Sequence, residues 1–123
     1  TALAHGCTAE VSFVRASPPL VNHAAEARFA AEVMREVAGA DAVDEQFTGV
    51  LAAEDFAHML QARPGCYAFI GNGQGDHRLP GHGNGPCLIH NRSYDFNDDI
   101  LATGANYFVR LAERWLNTSK ELD

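Results

Sequence analysis

Residues 66–70 have the sequence CYAFI, and this short stretch decides the fold class that the sequence predicts. Almost every position is apolar, whereas a strand with one solvated face alternates apolar and polar residues. Pro64-Gly65 stands directly before the stretch and is typical of a helix end. We therefore predict a strand that is buried on both faces, and with it an α/β layer of strands and helices.

A glycine-rich stretch follows this strand. Residues 71–86, GNGQGDHRLPGHGNGP, contain six glycines and two prolines, so we interpret them as a loop. They do not form a dinucleotide fingerprint, because that motif requires a helix directly after the glycines and Leu79-Pro80-Gly81 opposes one. Residues 87–89 then resume an apolar strand that ends at His90. Such a loop is either an ordinary surface loop or a mobile loop beside an active site.

Two helices are predicted before the strand at residues 66–70, from apolar residues at helical spacing. The first runs from about residue 23 to 38, with Asn22 as its N-cap residue. The second runs from about residue 53 to 61. Glu54 and Asp55 would lie in its first turn, where the helix dipole favours negative charge.

The longest predicted helix follows the second strand. Asn97 is its expected N-cap residue, and the helix should end at about Leu116. Its apolar residues recur at helical spacing and should face inward. They are Leu101, Gly104, Ala105, Phe108, Leu111, Ala112 and Trp115.

The N-terminal segment is predicted to be a separate strand. Residues 8–14 alternate apolar and polar side chains, which is typical of a half-buried strand. Ser17-Pro18-Pro19 ends it, because proline cannot donate a ladder hydrogen bond. The two prolines also form a stiff joint, so we place a domain boundary after residue 19.

Composition excludes several classes of function. The chain has 123 residues, a hydrophobic fraction of 46% and a net charge of -7, which is typical of one globular domain. Negative charge repels both phosphate backbones and anionic lipids, so neither nucleic acid nor a membrane is an expected partner. No apolar run approaches the roughly 20 residues of a spanning helix. No secretory signal is visible, and we expect a cytoplasmic protein.

The three cysteines fit that compartment. An odd number argues against a disulfide framework and favours free thiols, although a Cys66–Cys87 bridge stays open. A small zinc site formed by Cys66, Cys87, His82 and His90 is an alternative. It is disfavoured because no matched second Cys/His pair follows, as a zinc finger requires.

Three segments together resemble the M20 peptidase family, in particular its hippurate hydrolase and auxin-conjugate hydrolase branch. Residues 18–22 (PPLVN) resemble the family's return from its lid domain to its catalytic domain. Residues 53–57 (AEDFA) resemble its G-A-E-D-F helix start, although Ala52 replaces the glycine. Residues 90–98 (HNRSYDFND) resemble its H-x-P-x-(F/Y)-D-F-N-D stretch, with Arg92 in place of the proline. The likeness covers nearly the whole chain, and the ordered set is specific.

The resemblance implies a fold and a place in a larger protein. Residues 1–19 would be the last strand of a small lid domain, which also serves dimerisation. Residues 20–123 would be the C-terminal half of a mixed-sheet catalytic domain with helices packed on it. The parent would be an amidohydrolase with two divalent metals (zinc, manganese, cobalt or nickel) that cleaves N-acyl or similarly N-substituted amino acids. Such a pair polarises the carbonyl and activates a bridging water.

The resemblance also assigns site residues. By match, His90 is the last metal ligand. Asp95 or Asp98 would hold the other nitrogen of its imidazole and fix its tautomer. The pocket would be bordered by Glu54 and Asp55 and, in the glycine-rich loop, by Gly83 and Gly85. The family's other metal ligands and its general base have no counterpart in this sequence, so no catalytic residue is assigned here.

The expected partners follow from that gap. They are the missing N-terminal part of the same polypeptide and a small N-acyl amino acid, and a homodimer stays open. The segment alone should be inactive. The main rival is a non-catalytic α/β module that binds a partner through surfaces its missing half would cover.

Overall fold

Three α-helices, joined by extended segments and short 3₁₀ turns, form the regular structure of the described residues. The computed structural model describes residues 1–73, 89–90, 94 and 96–120. Helix α1 spans Ala24–Ala38, α2 spans Phe56–Ala62 and α3 spans Leu101–Lys120. The 3₁₀ turns are Leu3–His5, Ala40–Ala42 and Asp98–Ile100. Within these ranges, no helix is long and apolar enough to cross a membrane.

Helix α1 confirms the first predicted helix. Its N-cap is His23 rather than Asn22, and the cap makes no side-chain hydrogen bond. Ala30, Ala31 and Val33 are buried on its inner face. Gly39 ends the helix with φ +87°, and its N–H donates to the carbonyl of Arg35. That backbone conformation favours glycine because it has no Cβ.

Helix α2 is shorter than predicted at its N-terminus. It begins at Phe56, so Glu54 and Asp55 precede the helix instead of forming its first turn. The Glu54 carboxylate accepts a hydrogen bond of 3.1 Å from the Phe56 N–H, which satisfies one of the free donors at the helix start. Ala57 and Leu60 are buried, whereas Met59 is exposed.

Helix α3 begins as the sequence indicates and extends further. The Asn97 side chain accepts from the Asp99 N–H at 3.1 Å, which confirms the predicted cap. The turn directly after this cap, Asp98–Ile100, is 3₁₀, however. The α-helix itself begins at Leu101 and continues to Lys120, beyond the predicted end at about Leu116. Arg114 on α3 forms ion pairs with Glu32 and Glu36 on α1.

Aromatic contacts reinforce the pairing of α1 with α3. The rings of Phe29 and Trp115 meet edge to face with their centroids 5.5 Å apart. The Arg114 guanidinium lies 5.7 Å from the centre of the Phe29 ring. Such ring pairs and cation–π contacts each contribute about 0.5–1.5 kcal/mol. These two contacts and the ion pairs of Arg114 fix the side of α3 that faces α1.

The predicted mixed-sheet α/β fold is wrong for the described part of the chain, which is helical and contains no β-strand. A strand exists only where its backbone pairs with a neighbouring strand. The backbone N–H and carbonyl of Tyr67 bind instead the two ends of the Asn22 side-chain amide, each at 2.8 Å. Residues 8–14 are exposed and likewise belong to no strand. The second predicted strand, 87–89, falls largely outside the described residues.

The hydrophobic core of the described residues is small. Its buried members are Ala30, Ala31, Val33, Ala57 and Leu60. Only Val33 among them is a larger side chain that is fully buried. Phe69 and Ile70, expected inside a buried strand, are 63% and 56% exposed. Little apolar surface is therefore available to stabilise the arrangement, and specific polar contacts matter correspondingly more.

We predict that Asn22→Ala loosens the attachment of residues 65–67 to the start of α1. Both backbone groups of Tyr67 would lose their partner, at a cost of about 1–3 kcal/mol. Amide hydrogen exchange at Tyr67 should accelerate accordingly. Asn106→Ala, at an exposed position on α3, is the control and should leave that exchange unchanged. Equal protection of Tyr67 in wild type and Asn22→Ala would contradict the prediction.

Candidate functional site

His90 is exposed and lies in a turn with Ile89. Its φ is +70°, in the left-handed region that non-glycine residues rarely adopt. The sequence placed His90 at the end of a buried strand, yet Ile89 is 65% exposed. The structure thus differs from the expected setting, but it leaves His90 open to solvent and not enclosed in an apolar interior.

The described residues do not complete a metal site. In the portion covered by the structure, no group of three or more His, Cys, Asp or Glu side chains could hold a metal ion. A zinc ion takes three or four protein ligands, so the imidazole of His90 fits at most one position of such a site.

The alternative zinc site is covered only in part. Cys66 and His90 are described, whereas Cys87 and His82 lie outside the described residues. Cys66 is a free thiol, as is Cys7, which agrees with the free thiols expected from the sequence. Burial raises the pKa of Cys66, and the negative charge of Glu26 raises it further. Both effects favour the protonated form of the Cys66 thiol.

The carboxylates expected beside His90 are also covered in part. Asp98 is exposed in the 3₁₀ turn before α3. Between described residues, no hydrogen bond or ion pair joins Asp98 to His90. Asp95 lies outside the described residues. The supporting role of either carboxylate therefore stays a prediction.

One end of the glycine-rich loop is fastened to the turn that begins α3. The Asn72 side-chain oxygen accepts a hydrogen bond of 2.8 Å from the Asn97 N–H. Gly73 has φ +71°, and a Cβ added there would lie 2.8 Å from the side-chain nitrogen of Asn97. A larger residue here would be strained by the positive φ and would require the Asn97 side chain to shift. Gly83 and Gly85, expected at the pocket border, lie outside the described residues.

Glu54 has a structural role in the described part of the chain. Its carboxylate accepts a 3.1 Å hydrogen bond from the Tyr67 hydroxyl while it also binds the Phe56 N–H. The pKa of Tyr67 is raised, first by this hydrogen bond, then by burial and by the charge of Glu54. Asp55 is exposed and is the N-cap of α2 without a side-chain hydrogen bond. Whether either carboxylate borders a pocket stays a prediction.

Tyr67 was not singled out by the sequence, although it connects the predicted site residue Glu54 to the rest of the fold. Its ring packs against Phe56 and Phe69, at centroid distances of 5.6 and 5.3 Å. Phe69 in turn contacts Phe47. Thirteen residues separate Tyr67 from Glu54, so no helical or strand periodicity could have indicated their contact.

A shallow polar cavity lies elsewhere, between the ends of α1 and α3. Its lining is Glu36, Arg110, Glu113, Arg114, Asn117 and Thr118. None of the predicted site residues that the structure describes lies on it. The carboxylates and guanidiniums of this lining pair with one another, Arg110 with Glu113 and Arg114 with Glu36.

Comparison with known proteins identifies relatives. The chain is 30% identical over 100 residues to a hippurate hydrolase of Campylobacter jejuni, covering 81% of this chain and 23% of that protein. It is 27% identical over 119 residues to IAA-amino acid hydrolase ILR1-like 2 of Arabidopsis thaliana, covering 94% and 25%. It is 34% identical over 116 residues to thermostable carboxypeptidase 1 of Saccharolobus solfataricus, covering 92% and 26%.

The chain therefore spans about a quarter of the length of the curated relatives it matches. No solved structure matches it significantly. The family model described as "Peptidase family M20/M25/M40" matches residues 5–114, which is most of the sequence. This match confirms the resemblance seen in the three ordered segments, and the chain belongs to peptidase family M20/M25/M40.

Proposed function

We propose that this chain is the C-terminal segment of a hydrolase that cleaves the amide bond of N-acyl or similarly N-substituted amino acids. The observation that carries the proposal is the family match over residues 5–114. The names of two relatives, hippurate hydrolase and IAA-amino acid hydrolase, describe enzymes that act on conjugated amino acids. Hippurate is glycine with an acyl group on its nitrogen, so an amide bond is the common target.

The segment has a defined place in the proposed parent. Residues 1–19 are the end of a lid domain, and residues 20–123 belong to the catalytic domain. Pro18-Pro19 supports the division because it restricts the backbone at the boundary. Residues 8–14 are exposed and make no regular structure with the helices, which is expected if they belong to another domain. A dimer formed through that lid domain is part of the proposal.

His90 is the one metal ligand that this segment supplies to the parent. The proposal rests on its match to the family stretch and on its exposure in a turn. A neutral imidazole is a suitable ligand for zinc, manganese, cobalt or nickel. Asp95 or Asp98 would then hold the other ring nitrogen and set its orientation. The remaining ligands and the general base belong to polypeptide outside this segment, so the segment alone is inactive.

The compartment proposed for the parent is the cytoplasm. The free thiols of Cys7 and Cys66 support it, since reducing compartments keep cysteines unpaired.

A non-catalytic binding module is the second candidate. The observation that favours it is the small core combined with many exposed apolar side chains. Such surfaces mark sites of protein association. The two candidates differ in one respect that can be measured, namely whether the parent protein hydrolyses an amide.

We predict that His90→Ala in the full-length parent lowers both metal content and hydrolysis. The rate on an N-acyl amino acid should fall by at least about 100-fold. Mutating even a residue that only hydrogen-bonds to a metal ligand typically costs about 10–100-fold in metal affinity or activity. Metal content is measured by elemental mass spectrometry, and hydrolysis by release of the free amino acid. His58→Ala is the matched control, since His58 is an exposed histidine on α2. Unchanged metal content in His90→Ala would remove the ligand assignment.

We predict that the isolated 123-residue segment does not hydrolyse N-benzoylglycine, whereas the full-length parent does. One imidazole cannot hold two metals, so the segment lacks the chemistry. Release of glycine, followed by amine derivatisation, measures both proteins under the same conditions. A parent that binds metal but releases no amino acid from any N-acyl substrate would favour the binding module instead.

A further inference from the structure

His23 and Gly65 bind each other through two hydrogen bonds, although 42 residues separate them in the sequence. The His23 N–H donates to the Gly65 carbonyl at 3.1 Å. In return, the Gly65 N–H donates to Nδ1 of the His23 ring at 3.2 Å. The ring is half-buried at the N-cap of α1, where a side chain usually binds the first N–H groups of its own helix. Here it makes no such cap bond and binds Gly65 instead.

The bond to Nδ1 fixes the protonation state of the His23 imidazole. A ring nitrogen accepts a hydrogen bond only while it carries no proton, and the proton of a neutral ring is then on Nε2. A proton on Nδ1 would point a second donor at the Gly65 N–H, so the bond would be lost. Histidine ordinarily titrates at about pH 6.5, within the physiological range.

The pair connects α1 with α2. Gly65 lies against the buried side of α2, because a Cβ added at Gly65 would be 3.0 Å from Cδ2 of the buried Leu60. His23 is the residue at which α1 starts. A change in the protonation of one imidazole therefore acts on the contact between the start of one helix and the end of another.

The neighbouring contact cannot respond to a proton in the same way. The Asn22 side chain binds the N–H and the carbonyl of Tyr67, each at 2.8 Å. A carboxamide neither gains nor loses a proton near neutral pH. The segment after α2 thus has two adjacent attachments to the start of α1, of which only the one through His23 contains a titratable group.

Several ionisable side chains from all three helical elements surround this pair. They are Glu26 on α1, Glu54, Arg63, Cys66 and Tyr67 around α2, and Tyr107 on α3. The pKa values of Cys66 and Tyr107 are raised, chiefly by burial, and that of Tyr67 is raised chiefly by its hydrogen bond to Glu54. These three groups are therefore neutral at neutral pH and below. The two carboxylates attract a protonated ring and Arg63 repels it, but a protonated Nδ1 faces another donor whatever their balance.

We propose that the His23–Gly65 pair is a pH-sensitive contact, which releases the residue after α2 from the start of α1 when His23 is protonated. The contact is complete while the ring is neutral, and it is lost as the pH falls and the ring takes up a proton. Asn22 holds Tyr67 in both states, so the change is local. The proposal does not depend on the hydrolase activity proposed above.

Amide hydrogen exchange in the full-length parent tests the proposal. Exchange itself depends on pH, so protection is expressed relative to an unstructured peptide at the same pH. Pro64 has no amide hydrogen, so peptides that end at residues 63 and 65 differ by the Gly65 amide alone. The two conditions are about pH 7.5 and about pH 5, on either side of the ordinary histidine value.

Two variants separate His23 from other titrating groups. In His23→Asn, the side-chain oxygen replaces Nδ1 as the acceptor and does not titrate. His58→Asn is the matched control, because His58 is an exposed histidine on α2. Protection of the Gly65 amide should fall about five- to tenfold at the lower pH in wild type and in His58→Asn, as expected for the loss of one hydrogen bond. It should stay constant in His23→Asn.

Three results would overturn the proposal. The first is equal Gly65 protection at both pH values in wild type, and the second is an equal fall in His23→Asn. The third is a simultaneous loss of protection at Tyr67, which would identify general acid unfolding. If asparagine fails to hold Gly65 at either pH, nitrogen NMR of the histidine-labelled parent decides. Nδ1 of His23 should carry no proton at about pH 7.5 and should gain one as Gly65 loses protection, whereas a protonated Nδ1 at the higher pH would contradict the proposal.

Discussion

The described structure depends on a set of hydrogen bonds that ties the start of α1 to the segment after α2. The Asn22 side chain binds both backbone groups of Tyr67 at 2.8 Å. Next to it, His23 and Gly65 exchange two further bonds: the His23 N–H donates to the Gly65 carbonyl, and the Gly65 N–H donates to the His23 ring. The side chains of Asn22 and His23 and the backbone N–H of His23 thus bind the backbone groups of Gly65 and Tyr67. In a sheet, a neighbouring strand would bind those groups. With so few buried apolar residues, this connection determines where α2 lies relative to α1.

The same connection positions the residues of the candidate site that the structure covers. Tyr67 is held through its backbone by Asn22, and its hydroxyl binds Glu54. Glu54 in turn binds the first N–H of α2. Both carboxylate oxygens of Glu54 are therefore used in hydrogen bonds within the fold.

The helices could be predicted from the sequence, whereas the contacts between the extended segments could not. Apolar spacing located α1 and α3 because a helix satisfies its own backbone and needs only one apolar side. Residues 66–70 were wrongly predicted as a strand from their apolar composition. Composition does not indicate that the Asn22 side chain, and not a neighbouring strand, binds the backbone of Tyr67. His90 was proposed from its match to a family stretch and not from periodicity, and its turn conformation was not predicted. The other residues of the proposed site could not be predicted from this sequence, since it aligns with only about a quarter of the relatives' length.

The two carboxylates that bind Arg114 lie one helical turn apart, at Glu32 and Glu36 on α1. A guanidinium offers donors on separate nitrogens in a planar fork, so it can hold both at once, while a lysine ammonium is a single point of charge. If α3 slid along α1 by one turn, about 5.4 Å, one arm of the fork would lose its carboxylate. The two ion pairs of Arg114 therefore favour a single register of α3 along α1, whereas apolar contacts alone would tolerate several.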